Sequence, residues 1–420
     1  MNYGLIGERL SHSFSKEIHE RLAGYSYELC ELAPAQVGDF LTAKRFRAVN
    51  VTIPYKETVI PYLDFVDPAA RRIGAVNTVV NKDGVLFGYN TDFFGMRALI
   101  LRLGLEMSGS KVLVLGTGGT SRTARAVAAD LGAAQILSVS RRSGGGAVSY
   151  QEAYELHADA DFIINTTPCG MYPYQDGGEG RAAVPADLSR FPRLRGVVDA
   201  VYNPLRTNLV LDASERGIPA EGGLYMLVAQ AAKAIEHFTG DAPSVEAWEA
   251  VFADIARRKE SIVLIGMPGC GKSTVGRALA EKLGRPFVDT DDVIVERCGK
   301  PITEIFAEGG EALFRDIETD AVRTVSAEYA GAVIATGGGV ILREQNVRML
   351  RRCGRLFFIN RPLDEIKPTP SRPLSLDREA LRRRFEERYG KYLAAADAEI
   401  VTDGCVKHTC ERIEKIFFGE

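Results

Sequence analysis

The stretch Gly266-Met-Pro-Gly-Cys-Gly-Lys-Ser-Thr274 constrains this chain more than any other. It fits G-x-x-x-x-G-K-[ST], with the apolar run Ile262–Ile265 before it and Ala278-Leu-Ala280 after it, so strand, loop and helix follow one another. Gly269 and Gly271 let backbone N–H groups converge on phosphate oxygens. Lys272 adds a point charge, and the pair Ser273-Thr274 brings a hydroxyl, that of Ser273, suited to Mg²⁺. Such a loop normally opens its domain, yet here a long stretch of chain precedes it.

That preceding stretch is large enough to be a domain of its own. At 420 residues the chain exceeds one ordinary core, and two domains are expected. With 46% apolar and 25% charged residues it reads as soluble globular protein, and a net charge of −3 gives no electrostatic case for a nucleic-acid or membrane partner. The start, Met1-Asn-Tyr-Gly-Leu-Ile-Gly-Glu8, lacks a signal-peptide pattern, and no apolar run is long enough to span a bilayer. The seven cysteines are scattered without a C-x-x-C pair, which suits idle thiols in a reducing cytoplasm. Cys270, inside the phosphate loop, is a candidate for alkylation without being catalytic.

A second glycine loop lies upstream. Lys111–Leu115 reads as a buried strand running into Gly116-Thr-Gly118-Gly119-Thr-Ser-Arg122, and Ala124, Ala126, Val127 and Ala128 suggest a helix packed on a sheet. This is a variant of the dinucleotide fingerprint with Ser121 at its usual third glycine. The next strand, Gln135–Val139, ends in Ser140-Arg141-Arg142-Ser143, where an NAD site would place Asp or Glu. Two arginines and two serines suit a 2′-phosphate, hence NADP(H); a basic surface turn is the other reading. Before this loop stand short polar clusters that decide nothing singly. Ser13 and Ser15 either cap a helix or touch a ligand. Lys56, after a strand ending at Pro54, would ordinarily be a solvated charge.

Together these clusters are distinctive. His12-Ser13-Phe-Ser15, Asn50-Val-Thr-Ile-Pro-Tyr-Lys56, Gly74-Ala-Val-Asn77-Thr, Asn90-Thr-Asp92, Asn165-Thr-Thr-Pro-Cys-Gly-Met171, Asp199-Ala-Val-Tyr202-Asn-Pro and Gly222-Gly-Leu-Tyr-Met226-Leu-Val-Ala-Gln230 resemble shikimate dehydrogenase over residues 1–240. The resemblance implies reduction of 3-dehydroshikimate, with Lys56 and Asp92 as the acid/base pair. It also implies that Ser13 and Ser15 hold the substrate carboxylate, with Tyr202 close by. Thr52, Asn77, Asp92 and Gln230 would bind ring hydroxyls, and Gly223 would lie near the nicotinamide. The turn Gly7-Glu-Arg-Leu10 departs from the family's proline-containing opening.

After the phosphate loop, Asp289-Thr-Asp-Asp292 offers carboxylates for metal and substrate, with a capping turn as the alternative. Gly310-Glu-Ala-Leu-Phe-Arg315 and Glu318 suggest a helical lobe, and Thr336-Gly337-Gly338-Gly339 a turn that lets backbone approach a ligand. With Ser371-Arg372-Pro-Leu374 and Arg388, this set resembles shikimate kinase. The resemblance implies ATP as phosphoryl donor, Asp289 holding Mg²⁺ through water, and Asp291 binding the acceptor hydroxyl. Arg315 and Arg388 would grip the carboxylate, Gly337, Gly338 and Gly339 would line the ring, and Arg372 would reach the phosphate from a lid. That lid, Asp364–Arg372, is shorter and richer in proline than the family's, and it has no clear equivalent of the family's adenine-stacking arginine, although Lys367 lies nearby. Arg382-Arg383-Arg384 reads as the solvated face of a helix.

The expectation is therefore an α/β chain: a substrate lobe over 1–97, a Rossmann-like NADP lobe over 98–240, a helical connector over 241–260 and a P-loop kinase domain over 261–420. The implied function is a cytoplasmic bifunctional enzyme making shikimate with NADPH and phosphorylating it with Mg-ATP. The rival is a ligand-sensing regulator built from degenerate copies of both domains, and a milder variant adds quinate or NAD as substrates. Oligomeric state is not legible in the sequence.

Overall fold

The computed structural model describes residues 1–10, 13–172, 184–366 and 378–419. They form two compact units, one ending at Ile255 and the other beginning at Ala256; the boundary falls inside the helix Val245–Lys259. Among the described residues, no helix is long and apolar enough to cross a membrane.

The first unit has two lobes. In the first lobe, Tyr3–Gly7 lies parallel to Glu28–Glu31 on one side and to Ala48–Val51 on the other. Ala48–Val51 is buried at every position, as expected for a strand covered on both faces. The sheet then turns antiparallel through Thr78–Lys82 and Val85–Tyr89, joined by Asp83-Gly84 with positive φ at both residues, a pairing that favours a tight hairpin. Phe65–Val66 completes the edge. Ile6, Val49, Val51, Val79 and Leu86 form the centre of this lobe's core.

The second lobe is a six-stranded parallel sheet, in the order Ala220–Glu221, Gly196–Asp199, Phe162–Asn165, Lys111–Leu115, Gln135–Ser140, Ala147–Ser149. The chain leaves Lys111–Leu115 toward one edge and returns to its other side, which creates a switch point where carboxyl-end loops diverge. Gly116, Thr166 and Ala200 each follow directly on a strand at that edge. The long helix Leu224–Thr239 then packs back on the first lobe, against Asp92–Arg102 and Ser15–Ala23. Its approach to Asp92–Arg102 needs Gly95, since a side chain there would meet the Met226 carbonyl at 2.4 Å. The amphipathic helix expected after it is present, with Trp248, Val251 and Ile255 buried.

The second unit is a five-stranded parallel sheet in the order Phe287–Asp289, Val333–Ala335, Ser261–Ile265, Gly354–Asn360, Ala398–Val401. Ile262, Val263, Leu264 and Ile265 are all fully enclosed in its core, each worth roughly 1.5–3 kcal/mol of hydrophobic stabilisation. The phosphate loop leaves the carboxyl end of that central strand and enters the helix Lys272–Leu283. The helix Ile302–Glu328 is interrupted at Gly310 (φ 67°, ψ −164°), a conformation in which glycine avoids the Cβ clash.

Candidate active sites

The first site is built on the helix Asp92–Arg102. Asp92 lies in its first turn, where the helix dipole favours a carboxylate, and its Oδ2 accepts a 2.5 Å hydrogen bond from Lys56 Nζ. The two side chains are 15% and 9% exposed, so Lys56 is no solvated charge but half of an enclosed ion pair. Gly119 of the glycine loop lies against it: a side chain there would stand 3.9 Å from Lys56 Cβ and Cδ. The dinucleotide loop and the lysine are thus neighbours across the lobes, although 63 residues apart in sequence.

Next to this pair is a buried amide cluster. Asn77 Nδ2 donates to Thr91 Oγ1 (3.0 Å) and to Gln230 Oε1 (3.4 Å), while Asn77 Oδ1 accepts from the Thr91 N–H (2.7 Å). Thr91 Oγ1 also donates to Gln230 Oε1, at 3.1 Å. Gln230 arrives from the helix Leu224–Thr239, so closure of that helix joins the two ends of this site. Thr52, half-buried, begins the turn that leads to Lys56, with its amide bonded to the Ile6 carbonyl.

Neither Ser13 nor Ser15 is the N-cap residue of the helix Ser15–Ala23, although Ser13 reaches its first N–H. Phe14 occupies the N-cap position, Ser15 is the first helical residue and is buried, and Ser13 Oγ accepts from the Ser15 N–H at 3.2 Å. The Phe14 ring meets the Tyr202 ring at 5.3 Å, which brings Tyr202 to the serines. Burial raises the Tyr202 phenol above its ordinary pKa, so it stays a neutral donor. Gly223 approaches the same loop: its N–H bonds Val201 O at 2.8 Å, and a Cβ would lie 2.2 Å from the Ala200 carbonyl.

The loop Gly116-Thr-Gly118 leads into the helix Gly119–Asp130, with Gly118 as N-cap. Ser121, in place of a third glycine, is buried and donates back to the Gly116 carbonyl at 2.7 Å, closing the loop on itself. Ser140 donates to the Arg142 carbonyl and Ser143 to Glu152, whereas Arg141 and Arg142 are exposed at the strand's end. The arginines are therefore the groups of this turn left facing outward.

Behind the site sits a carboxylate that the sequence reading quoted in a motif without giving it a role. Asp199 is fully enclosed and accepts from Asn165 Nδ2 (2.9 Å), the Val201 N–H (3.0 Å) and Thr207 Oγ1 (2.6 Å). It ties together the ends of two neighbouring strands and the loop carrying Tyr202. Burial pushes its carboxyl up to about 6 despite those three donors.

In the second unit, Lys272 Nζ is buried and donates to the carbonyls of Gly266 and Met267, both at 2.9 Å. Gly269 and Gly271 have positive φ in the loop, and Thr274 is exposed in the first helical turn. Ser273 Oγ donates to Asp289 Oδ2 at 2.6 Å, while Asp289 Oδ1 caps the next helix through the Asp291 N–H at 3.0 Å. Of the two sequence readings of the acidic turn, the capping one is seen in Asp289, which also meets the Ser273 hydroxyl. Asp292 points outward, at 3.3 Å from Arg277. Among the described residues no group of three or more His, Cys, Asp or Glu side chains is placed to hold a metal by itself.

The glycine turn faces this centre. The Gly337 N–H donates to Thr290 Oγ1 at 3.0 Å, and a Cβ on Gly337 would lie 2.9 Å from Asp291 Oδ1 and 2.8 Å from Glu318 Oε1. On Gly339 it would meet the Arg315 guanidinium at 2.2 Å. Arg388 Nη1 (3.1 Å) and the Tyr392 hydroxyl (2.5 Å) both donate to the Gly338 carbonyl. Arg315 is held by Glu318 through Nη1 (2.8 Å) and by Glu311 through Nη2 (2.9 Å). Burial alone would lower the Arg315 pKa, but these carboxylates outweigh it and hold the guanidinium above its ordinary value. Glu318 is itself raised by enclosure; an arginine at this distance keeps its proton, so the pair is ionic. The i−4 and i+3 positions of Glu311 and Glu318 around Arg315 were a sequence signal for this clamp. Arg372 and Lys367 lie outside the described residues. The three successive arginines are not uniformly solvated: Arg382 and Arg383 are exposed, but Arg384 is half-buried because it lies on the helix face shared with Leu381 and Arg388.

Comparison with known proteins divides the chain in the same order. The family model for the shikimate dehydrogenase substrate binding domain matches residues 5–79, and that for shikimate kinase matches residues 268–416. The shikimate dehydrogenase (NADP(+)) of Clostridium perfringens is 36% identical over 256 residues, spanning 57% of this chain and 92% of the relative. A chorismate mutase/shikimate 5-dehydrogenase fusion protein from Clostridium acetobutylicum superposes with a TM-score of 0.56 at 33% identity, over 60% of this chain and 96% of that one. The shikimate 5-dehydrogenase of Thermus thermophilus, solved with NADP(H) and shikimate, gives a TM-score of 0.53 at 31% identity, over 60% and 99%.

Proposed function

Because the chain belongs to the shikimate dehydrogenase family and carries a shikimate kinase domain behind it, we propose that its two centres act in succession on one carbon ring, and assign their residues accordingly. It is a bifunctional enzyme of the shikimate pathway, with an NADP-dependent dehydrogenase and an ATP-dependent kinase. The observation that carries the dehydrogenase assignment is the enclosed Lys56–Asp92 pair beside Gly119.

In the reductive half, NADPH supplies the hydride when bound. Lys56, as ammonium, donates a proton to the ketone oxygen of 3-dehydroshikimate, so that hydride on carbon and proton on oxygen make the alcohol. Asp92 holds and orients the lysine, whose amine then takes a proton back from water. Asn77, Thr52 and Gln230 orient ring hydroxyls, and Ser13, Ser15 and Tyr202 take the carboxylate through neutral donors. Gly116, Gly118 and Gly119 accommodate the pyrophosphate, Gly223 lies near the nicotinamide, and Arg141 with Arg142 gives the choice of a 2′-phosphate its physical basis.

In the kinase half, Asp291 binds the new hydroxyl and takes its proton as the oxygen bonds to the γ-phosphorus of ATP, releasing ADP. Lys272, with the backbone from Gly269 to Gly271, bears the phosphates. The oxygen pair Ser273 and Asp289 suits magnesium, which takes most of its remaining ligands from phosphate and water and offsets phosphate charge when bound. Arg315 and Arg388 take the carboxylate, and Gly337, Gly338 and Gly339 line the ring. The lid assignment of Arg372 rests on sequence alone. The complete phosphate loop together with Lys56, Asp92 and Asp291 favours this reading over a retired sensor.

The test is to incubate the chain with 3-dehydroshikimate, NADPH and Mg-ATP and to follow products by mass spectrometry. Shikimate 3-phosphate is expected. Recovery of unchanged 3-dehydroshikimate, with supplied shikimate also untouched, would overturn the proposal.

A further inference from the structure

The turn that opens the helix Gly119–Asp130 belongs to the second lobe of the first unit, yet it is fastened to the first lobe. A Cβ on Gly119 would lie 3.6 Å from Ala75 Cβ as well as beside Lys56. Within the same turn, Arg122 Nη2 stands 3.0 Å from Glu57 Oε2, and its Nη1 donates to the Gly74 carbonyl at 3.2 Å. Asn90 Nδ2 adds an inner tie, donating to the Ala75 carbonyl (2.9 Å) and to Thr123 Oγ1 (3.3 Å).

Both partners of Arg122 adjoin the stretch that carries Lys56. Glu57 follows Lys56 directly. Gly74 ends the short helix Pro68–Ile73 and leads to Val76, whose N–H bonds the Lys56 carbonyl at 2.8 Å. Helix stability gives no reason for an arginine at position 122, since a first turn favours anions over cations. Nor does the pair add much to the fold: at 44% and 50% exposure, solvent screens it. The open and closed states of a two-lobed site differ little in free energy, however, so even a screened contact across the lobes shifts their populations several-fold.

We propose that Arg122 is a positioning residue of the dehydrogenase centre: by gripping Glu57 and the Gly74 carbonyl, it holds the dinucleotide loop against Lys56, so that hydride and proton reach the same ketone. This rests on the dehydrogenase reading above. Arg122 acts by joining the lobes and not by binding the cofactor.

The test uses the full chain, loaded with NADPH and mixed with excess 3-dehydroshikimate, and reads the single-turnover rate of NADPH oxidation by stopped flow. NADPH affinity without substrate is read separately by nucleotide fluorescence. Arg122→Met, which loses both contacts, should slow turnover about five-fold, and Glu57→Gln, which weakens one, about three-fold, with NADPH affinity within about two-fold of the parent in each. Because the two residues act through each other, the double variant should be no slower than Arg122→Met. Arg122→Lys, which keeps the charge, should recover most of the rate. A double variant slowed by the product of the single effects, about 15-fold, shows independent roles and overturns the proposal. So does a parent-like rate in Arg122→Met. A weakening of NADPH binding by about ten-fold also overturns it, since Arg122 then acts on the cofactor phosphates or on the fold of its own lobe. If the unsubstituted chain binds NADPH but does not oxidise it, the dehydrogenase reading fails and this inference with it.

Discussion

On the proposed assignments the first unit meets a carboxylic acid with hydroxyls, from Ser13, Ser15 and Tyr202, whereas the second meets the same acid with guanidinium groups, from Arg315 and Arg388. The contrast extends to buried carboxylates. Asp199 in the first unit is held by an amide, a backbone N–H and a hydroxyl, and burial raises its pKa to about 6. Glu318 in the second is held by Arg315 at 2.8 Å. Neutral donors are worth about 0.5–1.5 kcal/mol each and charged ones about 1.5–3 kcal/mol. On those assignments each charged contact in the second unit holds the acid more strongly than a neutral contact in the first. Lys56–Asp92 is the exception in the first unit, and on the same assignments its charge is proposed to serve proton transfer.

The sharpest break in this comparison comes from Lys56→Ala. It should lower ketone reduction by about 10³-fold while phosphorylation of supplied shikimate stays within two-fold. Loss of both activities in coupled and separate assays would contradict independent centres. Asp291→Asn is the mirror experiment, expected to cut phosphoryl transfer by roughly 10²-fold with NADPH oxidation unchanged.

Asp199 tests the cost of a carboxylate held without a cation. Its folded pKa lies above the ordinary value of 3.8, so the folded chain binds more protons between about pH 4 and 6. Stability from this group is present at low pH and is lost as pH rises through about 6. Asp199→Asn removes that loss, and should gain roughly 2–3 kcal/mol over the parent between pH 4 and 7. Trp248, the single tryptophan, lies in the first unit and reports its urea transition by fluorescence. A difference between the two proteins that is independent of pH would show that Asp199 does not titrate in this way.

Smaller effects separate the two grips directly. Arg388→Met should raise the shikimate KM of the kinase about 20-fold, whereas Ser15→Ala should raise the substrate KM of the dehydrogenase only about three-fold. Equal effects in steady-state kinetics would remove the distinction between charged and neutral recognition.

Much of each centre was legible because it is local. Gly266–Thr274 and Gly116–Arg122 each demand a strand before and a helix after, and both are found so placed. Asp289 ends its strand and Asp291 follows two residues on, in the first turn of the next helix. These features need only steric freedom and a few neighbouring hydrogen bonds.

Burial and long-range pairing were not local. Ser13 and Ser15 were at least as readily caps as ligand contacts in the sequence, and only the fold shows Phe14 at the N-cap with Ser13 bonded to the Ser15 N–H. In its own stretch Lys56 would ordinarily be a solvated charge, and only the resemblance paired it with Asp92, which a different strand and helix bring to it; Gln230 likewise reaches Asn77 across 153 residues. The run Arg382-Arg383-Arg384 looks uniform as a string; rotation of about 100° per residue exposes two of them and turns the third inward. The sequence by itself determined which chemical groups this protein possesses and the turns that present phosphate-binding backbone. Tertiary structure alone decided which charges meet and which are enclosed, because desolvation and Coulomb energy depend on what packs against a group and not on its place in the chain.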